Sequence, residues 1–106
     1  MADPAPEESP AAGQPAAVQA AFQALRGQFL AGLPQRWAEI ESAGSSALRQ
    51  AALHRLAGAA GSYGFATLGA AARRAEQAPD RDADAALEAL GQTVRHLLLA
   101  QAATVR

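Results

Sequence analysis

Alanine accounts for 31 of the 106 residues of this chain, and that bias narrows the possible folds more than any other feature. Alanine is the best helix former and a poor strand former, so the chain is expected to be all-α. Alanine also buries little area, so the core must rest on a short list of larger side chains. The rest of the composition removes whole classes of function. There is no cysteine, hence no disulfide scaffold, no thiolate nucleophile and no thiolate metal site. The two histidines, His54 and His96, would need carboxylates to complete a zinc site. A formal net charge of −1 offers no electrostatic case for nucleic-acid binding. A chain of this length makes one domain.

Residues 1–15 read as a disordered tail. Four prolines, Pro4, Pro6, Pro10 and Pro15, alternate with Ala, Glu and Ser, and such a segment buries too little surface to offset its ordering entropy. It lacks the positive start and apolar stretch of a signal peptide. No apolar run approaches the roughly 18 residues of a membrane span. A cytoplasmic, stand-alone protein with no membrane contact is the expectation.

From about residue 16 to 104 the apolar spacing is helical. Val18, Phe22, Leu25, Phe29 and Leu30 form one stripe. Gly32 and Pro34 punctuate it, and Leu33-Pro34 opens a second, short helix anchored by Trp37 and Ile40. Ser45 or Ser46 caps a third helix that ends before Gly64. A fourth runs over about 65–77, with Leu68, Ala72 and Ala75 facing inward. A fifth follows Asp80 or Asp82 over about 83–103. Short connections favour antiparallel neighbours, so the expected architecture is an antiparallel up-and-down four-helix bundle with one additional short helix. Its core is expected to hold Phe22, Leu25, Phe29, Trp37, Ile40, Leu48, Leu53, Leu56, Leu68, Leu87, Leu90, Val94 and Leu97.

The third helix contains a residue in the wrong place for a core. With Leu48 set at zero and about 100° per residue, Ala59, Ala52, Leu56, Ala60 and Leu53 fall between about 20° and 140°. His54 falls near 240°, almost opposite, and is predicted to face solvent. Its neighbours on that face are Gln50, Ala51, Ala57 and Gly58, with Ala47 and Gly61 a turn away. Glycine within a helix costs roughly 1 kcal/mol relative to alanine. Gly58 and Gly61 therefore suggest a face kept clear so that another protein can approach the imidazole.

The run Leu53-His54-Arg55-Leu56-Ala57-Gly58, followed by Gly64, Leu68 and Ala72-Arg73-Arg74-Ala75-Glu76, resembles the histidine-containing phosphotransfer (Hpt) domain. His54, Leu56, Gly58, Gly64 and Leu68 match that family's spacing of a histidine, a leucine two on, a glycine four on, a second glycine about ten on and a leucine-bearing helix that ends near an acidic residue. The likeness covers about residues 18–104. It implies a phosphoryl carrier, not an enzyme in its own right: His54 accepts a phosphoryl group from a receiver-domain aspartate or a kinase and passes it to a response-regulator aspartate. Partners implied are a receiver domain and a sensor or hybrid histidine kinase. No cofactor or metal of its own is implied, Mg²⁺ belonging to the receiver, and a monomer is expected. Arg55, Gly58, Gly61 and Gln50 would support His54, and Gly64 would make the turn. The chain departs from the family at Ala57, where the family has a lysine to meet the phosphoryl charge. Arg55 beside the histidine, or Arg73 or Arg74 on the next helix, are the available cations. That departure also raises an alternative, an Hpt-like adaptor that binds and regulates a kinase or response regulator without transfer. A piece of a chemotaxis-type or hybrid kinase is a third reading.

Other reactive residues fit weaker patterns. His96 sits beside Arg95 as a surface histidine would. Asp80, Asp82 and Asp84 lack the glycine and terminal glutamate of a calcium loop and suit a helix start. Ser42, Ser45, Ser46 and Ser62 have no histidine–acid pattern around them, and no phosphate-binding glycine loop is present.

Overall fold

The computed structural model describes residues 15–105, and these form four helices: α1 (Ala16–Glu41), α2 (Ser46–Ser62), α3 (Ala66–Gln77) and α4 (Asp80–Val105). Residues 1–14 of the expected tail lie outside the described residues. α1 packs on α2, α2 on α3, α3 on α4, and α4 back on α1. The four helices thus close a ring around one core, in which Leu33, Ile40, Leu53, Leu56, Leu68, Leu90 and Val94 are fully buried.

The additional short helix does not exist as a separate element among the described residues. α1 runs unbroken through Pro34. An interior proline removes one helical hydrogen bond and costs about 3 kcal/mol. On the same stripe the chain buries Phe29, Leu33 and Ile40, each worth about 1.5–3 kcal/mol. Breaking the helix at Pro34 would pull that stripe apart, so packing outweighs the local penalty. Leu33, which reads in sequence as the opening of a new helix, is instead fully buried.

Three expected core residues lie outside the core. Phe22, Leu25 and Leu48 are 39%, 44% and 61% exposed. Phe22 and Leu25 belong to the early turns of α1, where Phe22 meets the Tyr63 ring just beyond α2, centroids 6.5 Å apart. Leu48 lies in the first turn of α2, at the edge of its apolar arc. Phe65 is buried instead, stacked on Phe29 with centroids 5.3 Å apart. Between α2 and α3 the filling is small: Ala52, Ala57, Ala60, Ala71, Ala72 and Ala75 are all buried. A Cβ added at Gly69 would stand 3.5 Å from the Ala57 carbonyl oxygen and 3.7 Å from the Ala60 Cβ. The alanine bias thus produces two helices in close contact.

The ends of α2 are set locally. The Ser45 hydroxyl accepts the Leu48 N–H at 3.1 Å, satisfying one of the first-turn donors. At the other end Gly64 has φ +83°, its N–H donates to the Gly61 carbonyl, and the Phe65 N–H donates to the Ala60 carbonyl at 2.8 Å. That pair of bonds is a Schellman motif, which needs a left-handed residue at the position of Gly64. The turn is clamped by Arg26, which donates to the Tyr63 carbonyl and lies 4.2 Å from the Phe65 ring centroid. Gly64→Ala is expected to cost about 1–2 kcal/mol from the left-handed φ alone, and more because the new Cβ would meet the Arg26 guanidinium at 2.8 Å. Thermal unfolding checks it; a Tm fall of roughly 5 °C or more is the expected result.

Candidate functional site

The site is built on the meeting of α2 and α3. Burying Leu53, Leu56, Ala57 and Ala60 leaves His54 on the outer edge of the α2–α3 seam, its side chain 75% exposed. α3 buries Leu68, Gly69, Ala71, Ala72 and Ala75, and the residue that follows, Glu76, stands on the same seam. The His54 Nδ1 and the Glu76 Oε2 lie 2.9 Å apart, and the Glu76 side chain is only 25% exposed. Gln50, one turn before His54, donates its Nε2–H to the Glu76 backbone carbonyl at 3.2 Å. The end of α3 is therefore tied to α2 at two points, one of them through the imidazole.

This geometry assigns the two ring nitrogens. A carboxylate accepts only, so Nδ1 carries the proton when the imidazole is neutral. Nε2 is then left with a free lone pair. Nε2 has no hydrogen-bond partner among the described residues, on a side chain that is 75% exposed. Among the described residues no three His, Asp, Glu or Cys side chains are grouped to hold a metal ion.

The predicted site residues separate into three groups. Gln50 and His54 are brought together with Glu76. Gly58 and Gly61 are exposed, and a Cβ at either would meet nothing within 4 Å, so neither is required by packing within the chain. Ala47 and Ala51 are exposed on the same face. Ala57, expected on that open face, is 3% exposed. The reason is the close approach of α3, which widens the buried arc of α2 by one position on that side.

Arg55, Arg73 and Arg74 are all exposed, and none makes an ion pair with the described residues. Arg74 lines a depression with Pro79, Asp82 and Ala86 between α3 and α4. Arg73, three residues before Glu76, lies on the same side of α3 as that carboxylate. His96 is exposed on α4, lining a groove with Gly64, Phe65 and Thr93, and has no polar contact with His54.

Glu76 is the residue whose role sequence reasoning missed. In the primary structure it is only the acidic residue closing α3. The available signal was its being the sole acid of that helix, on the edge beside the inward-facing Ala72.

A family model, described as the Hpt domain, matches residues 24–104. No curated protein and no solved structure matches the chain.

Proposed function

Since the chain belongs to the Hpt domain family, whose members carry phosphoryl groups in two-component phosphorelays, we propose that His54 is its phosphoacceptor, taking the group from a receiver aspartate or a kinase and giving it to a response-regulator aspartate. The observation that carries this reading is the His54–Glu76 contact of 2.9 Å on a side chain that is 75% exposed. An ionised Glu76 can only accept at Nδ1, which would leave the lone pair of Nε2 for attack.

The chemistry asks little else of this chain. The Nε2 lone pair attacks phosphorus in line with the departing carboxylate oxygen, so orientation and charge neutralisation supply most of the rate. The receiver brings Mg²⁺ and its own cation. The chain brings an oriented imidazole and an unobstructed approach across Ala47, Ala51, Gly58 and Gly61. The experiment is to incubate the protein with a phosphorylated receiver or an active hybrid kinase. An acid-labile, base-stable label on one histidine is the expected result; no label with any receiver tried, or a label on His96, would sink the assignment.

The approach is itself testable. A Cβ at Gly58 meets open space, so Gly58→Leu adds helix propensity without disturbing the fold. It also places an isobutyl group one turn from the imidazole. Transfer from a receiver is expected to fall about tenfold or more, because small displacements of reacting groups carry large rate penalties. The melting temperature is expected to hold or rise. Unchanged transfer would show that partners do not approach over Gly58.

The alanine at position 57, where the family has a lysine, motivates a second reading. With no cation at that position, the chain would act as an adaptor that occupies a kinase or receiver without transfer. Regulation that survives His54→Ala would select this reading over the first.

A further inference from the structure

The apolar stripes that build the core run on past its end. α1 and α4 are the two long helices, and both reach the α2–α3 turn. Phe22 meets the Tyr63 ring there, and Leu97 lines one groove with Gly64 and Phe65. α1 starts six residues before Phe22 and α4 ends eight after Leu97. Each therefore continues beyond the turn by roughly two turns of helix, where neither α2 nor α3 extends. We infer that this end of the bundle is a self-association surface: a second copy of the chain docks there about a twofold axis, its own α1 and α4 ends completing the four-helix packing that α2 and α3 leave unfinished.

The spacing shows that these ends are built like the core. On α1, Val18, Phe22 and Leu25 keep the three- and four-residue steps of the buried Phe29 and Leu33, yet all three are exposed. On α4, Leu98 stands one turn after the buried Val94 and is only half-buried, and Leu99 is 71% exposed. No residue of 16–28 and none of 95–103 is buried. A stripe of this kind buries its apolar face when another helix covers it.

Charge selects the occupant. Residues 16–25 and 97–105 contain no Asp, Glu, Arg or Lys. A charged partner would lose hydration here and find no opposite charge to pair with. A twofold contact sets a patch against itself, so a charged patch would repel its copy and this one does not. The opposite end of the bundle differs: Glu41 and Asp84 line one depression there, close to Asp80 and Asp82, and two copies meeting at that end would bring like charges together. Size sets the strength. The two helix ends make a face roughly 15–20 Å long and two helix diameters wide, so two copies bury on the order of 1,000 Å², the lower bound of a specific interface. The dimer is therefore weak and reversible, in place of the monomer expected from the family likeness. His54 lies eight residues before the end of α2, so a contact made beyond the turn leaves both imidazoles open to other partners.

Sedimentation equilibrium of the whole chain, from about 1 µM to 1 mM, tests this. A reversible monomer–dimer equilibrium is the expected result. Phe22→Glu places a charge at the centre of the surface and is expected to weaken association about a hundredfold or more. Val18→Glu, further from the core, is expected to act in the same direction and decides the matter if Phe22→Glu lowers the helical content seen by circular dichroism. Ala85→Glu, exposed near the start of α4, is expected to leave the equilibrium unchanged. An unaltered chain that stays monomeric throughout overturns the proposal, as does a dimer that Val18→Glu and a folded Phe22→Glu leave intact. A monomeric chain whose transfer from a receiver falls in Phe22→Glu would give this surface to the receiver and overturns it equally. None of these outcomes bears on which histidine takes the phosphoryl group.

Discussion

Replacing His54 with alanine is expected to abolish phosphoryl labelling while leaving the helical bundle intact. Both halves of this prediction follow from where the side chain lies. At 75% exposure the imidazole contributes almost nothing to the core, and its polar contact is the one with Glu76. Removing it returns a partly exposed carboxylate to water. The stability change is expected within about 0.5–1 kcal/mol, the range of exposed ion-pair contacts. The chemical effect is total, because the nucleophile itself is gone. His96 is the other histidine, and among the described residues it has neither a carboxylate partner nor the small-residue surroundings. A His54→Ala protein that melts normally and takes no label from receiver or kinase is the expected outcome. A protein that still labels would move the acceptor elsewhere. His54→Gln gives a second reading of the same point: it restores a polar side chain at this position without the nucleophilic nitrogen, and should be equally silent.

The second large effect is on stability. Leu56→Ala is expected to cost about 2–5 kcal/mol, the range for truncating a fully buried leucine and leaving a cavity. Leu56 is 1% exposed, on the helix that packs against both α1 and α3. What makes the loss serious here is the composition. Many of the buried positions around it are alanines, which have no flexible side chain to swing into the void. A domain of this size has about 5–15 kcal/mol in total, so one such truncation removes a large share. The expected fall in Tm is about 10 °C or more, measured by circular dichroism, with His54 still reactive at temperatures where the variant remains folded. A fall of only a degree or two would mean that the helices close over the gap.

These two predictions separate what the site residues do from what the core residues do, and the sequence separates them too. Leu53, Leu56 and Ala60 fall on one arc of α2 and His54 nearly opposite, because a helix of known pitch leaves no choice. A serine cap at Ser45 or Ser46 and Gly64 as turn are also readable, since a hydroxyl before a helix and a glycine after it have specific backbone roles; the structure selects Ser45. The boundaries of the arcs were not readable. Leu48 and Ala57 both lie at arc edges, and which edge is covered depends on which neighbour is close. α3 covers the Ala57 side of α2, leaving Leu48 61% exposed. Phe22 and Leu25 continue the α1 stripe in sequence without lying in the core.

The amino-acid sequence alone determined that this chain is helical, that its core is thin, and that one histidine stands apart from that core among residues too small to obstruct it. These follow from backbone propensity and helical pitch, which act over a few residues. Tertiary structure decided the rest. Whether α1 survives Pro34 depended on the burial of Leu33 and Ile40 against other helices. The fate of Ala57 depended on the approach of α3. Above all, the contact between His54 and Glu76 joins residues 22 positions apart. Its existence turns on how two helices align, and helical pitch within either one carries no record of that alignment.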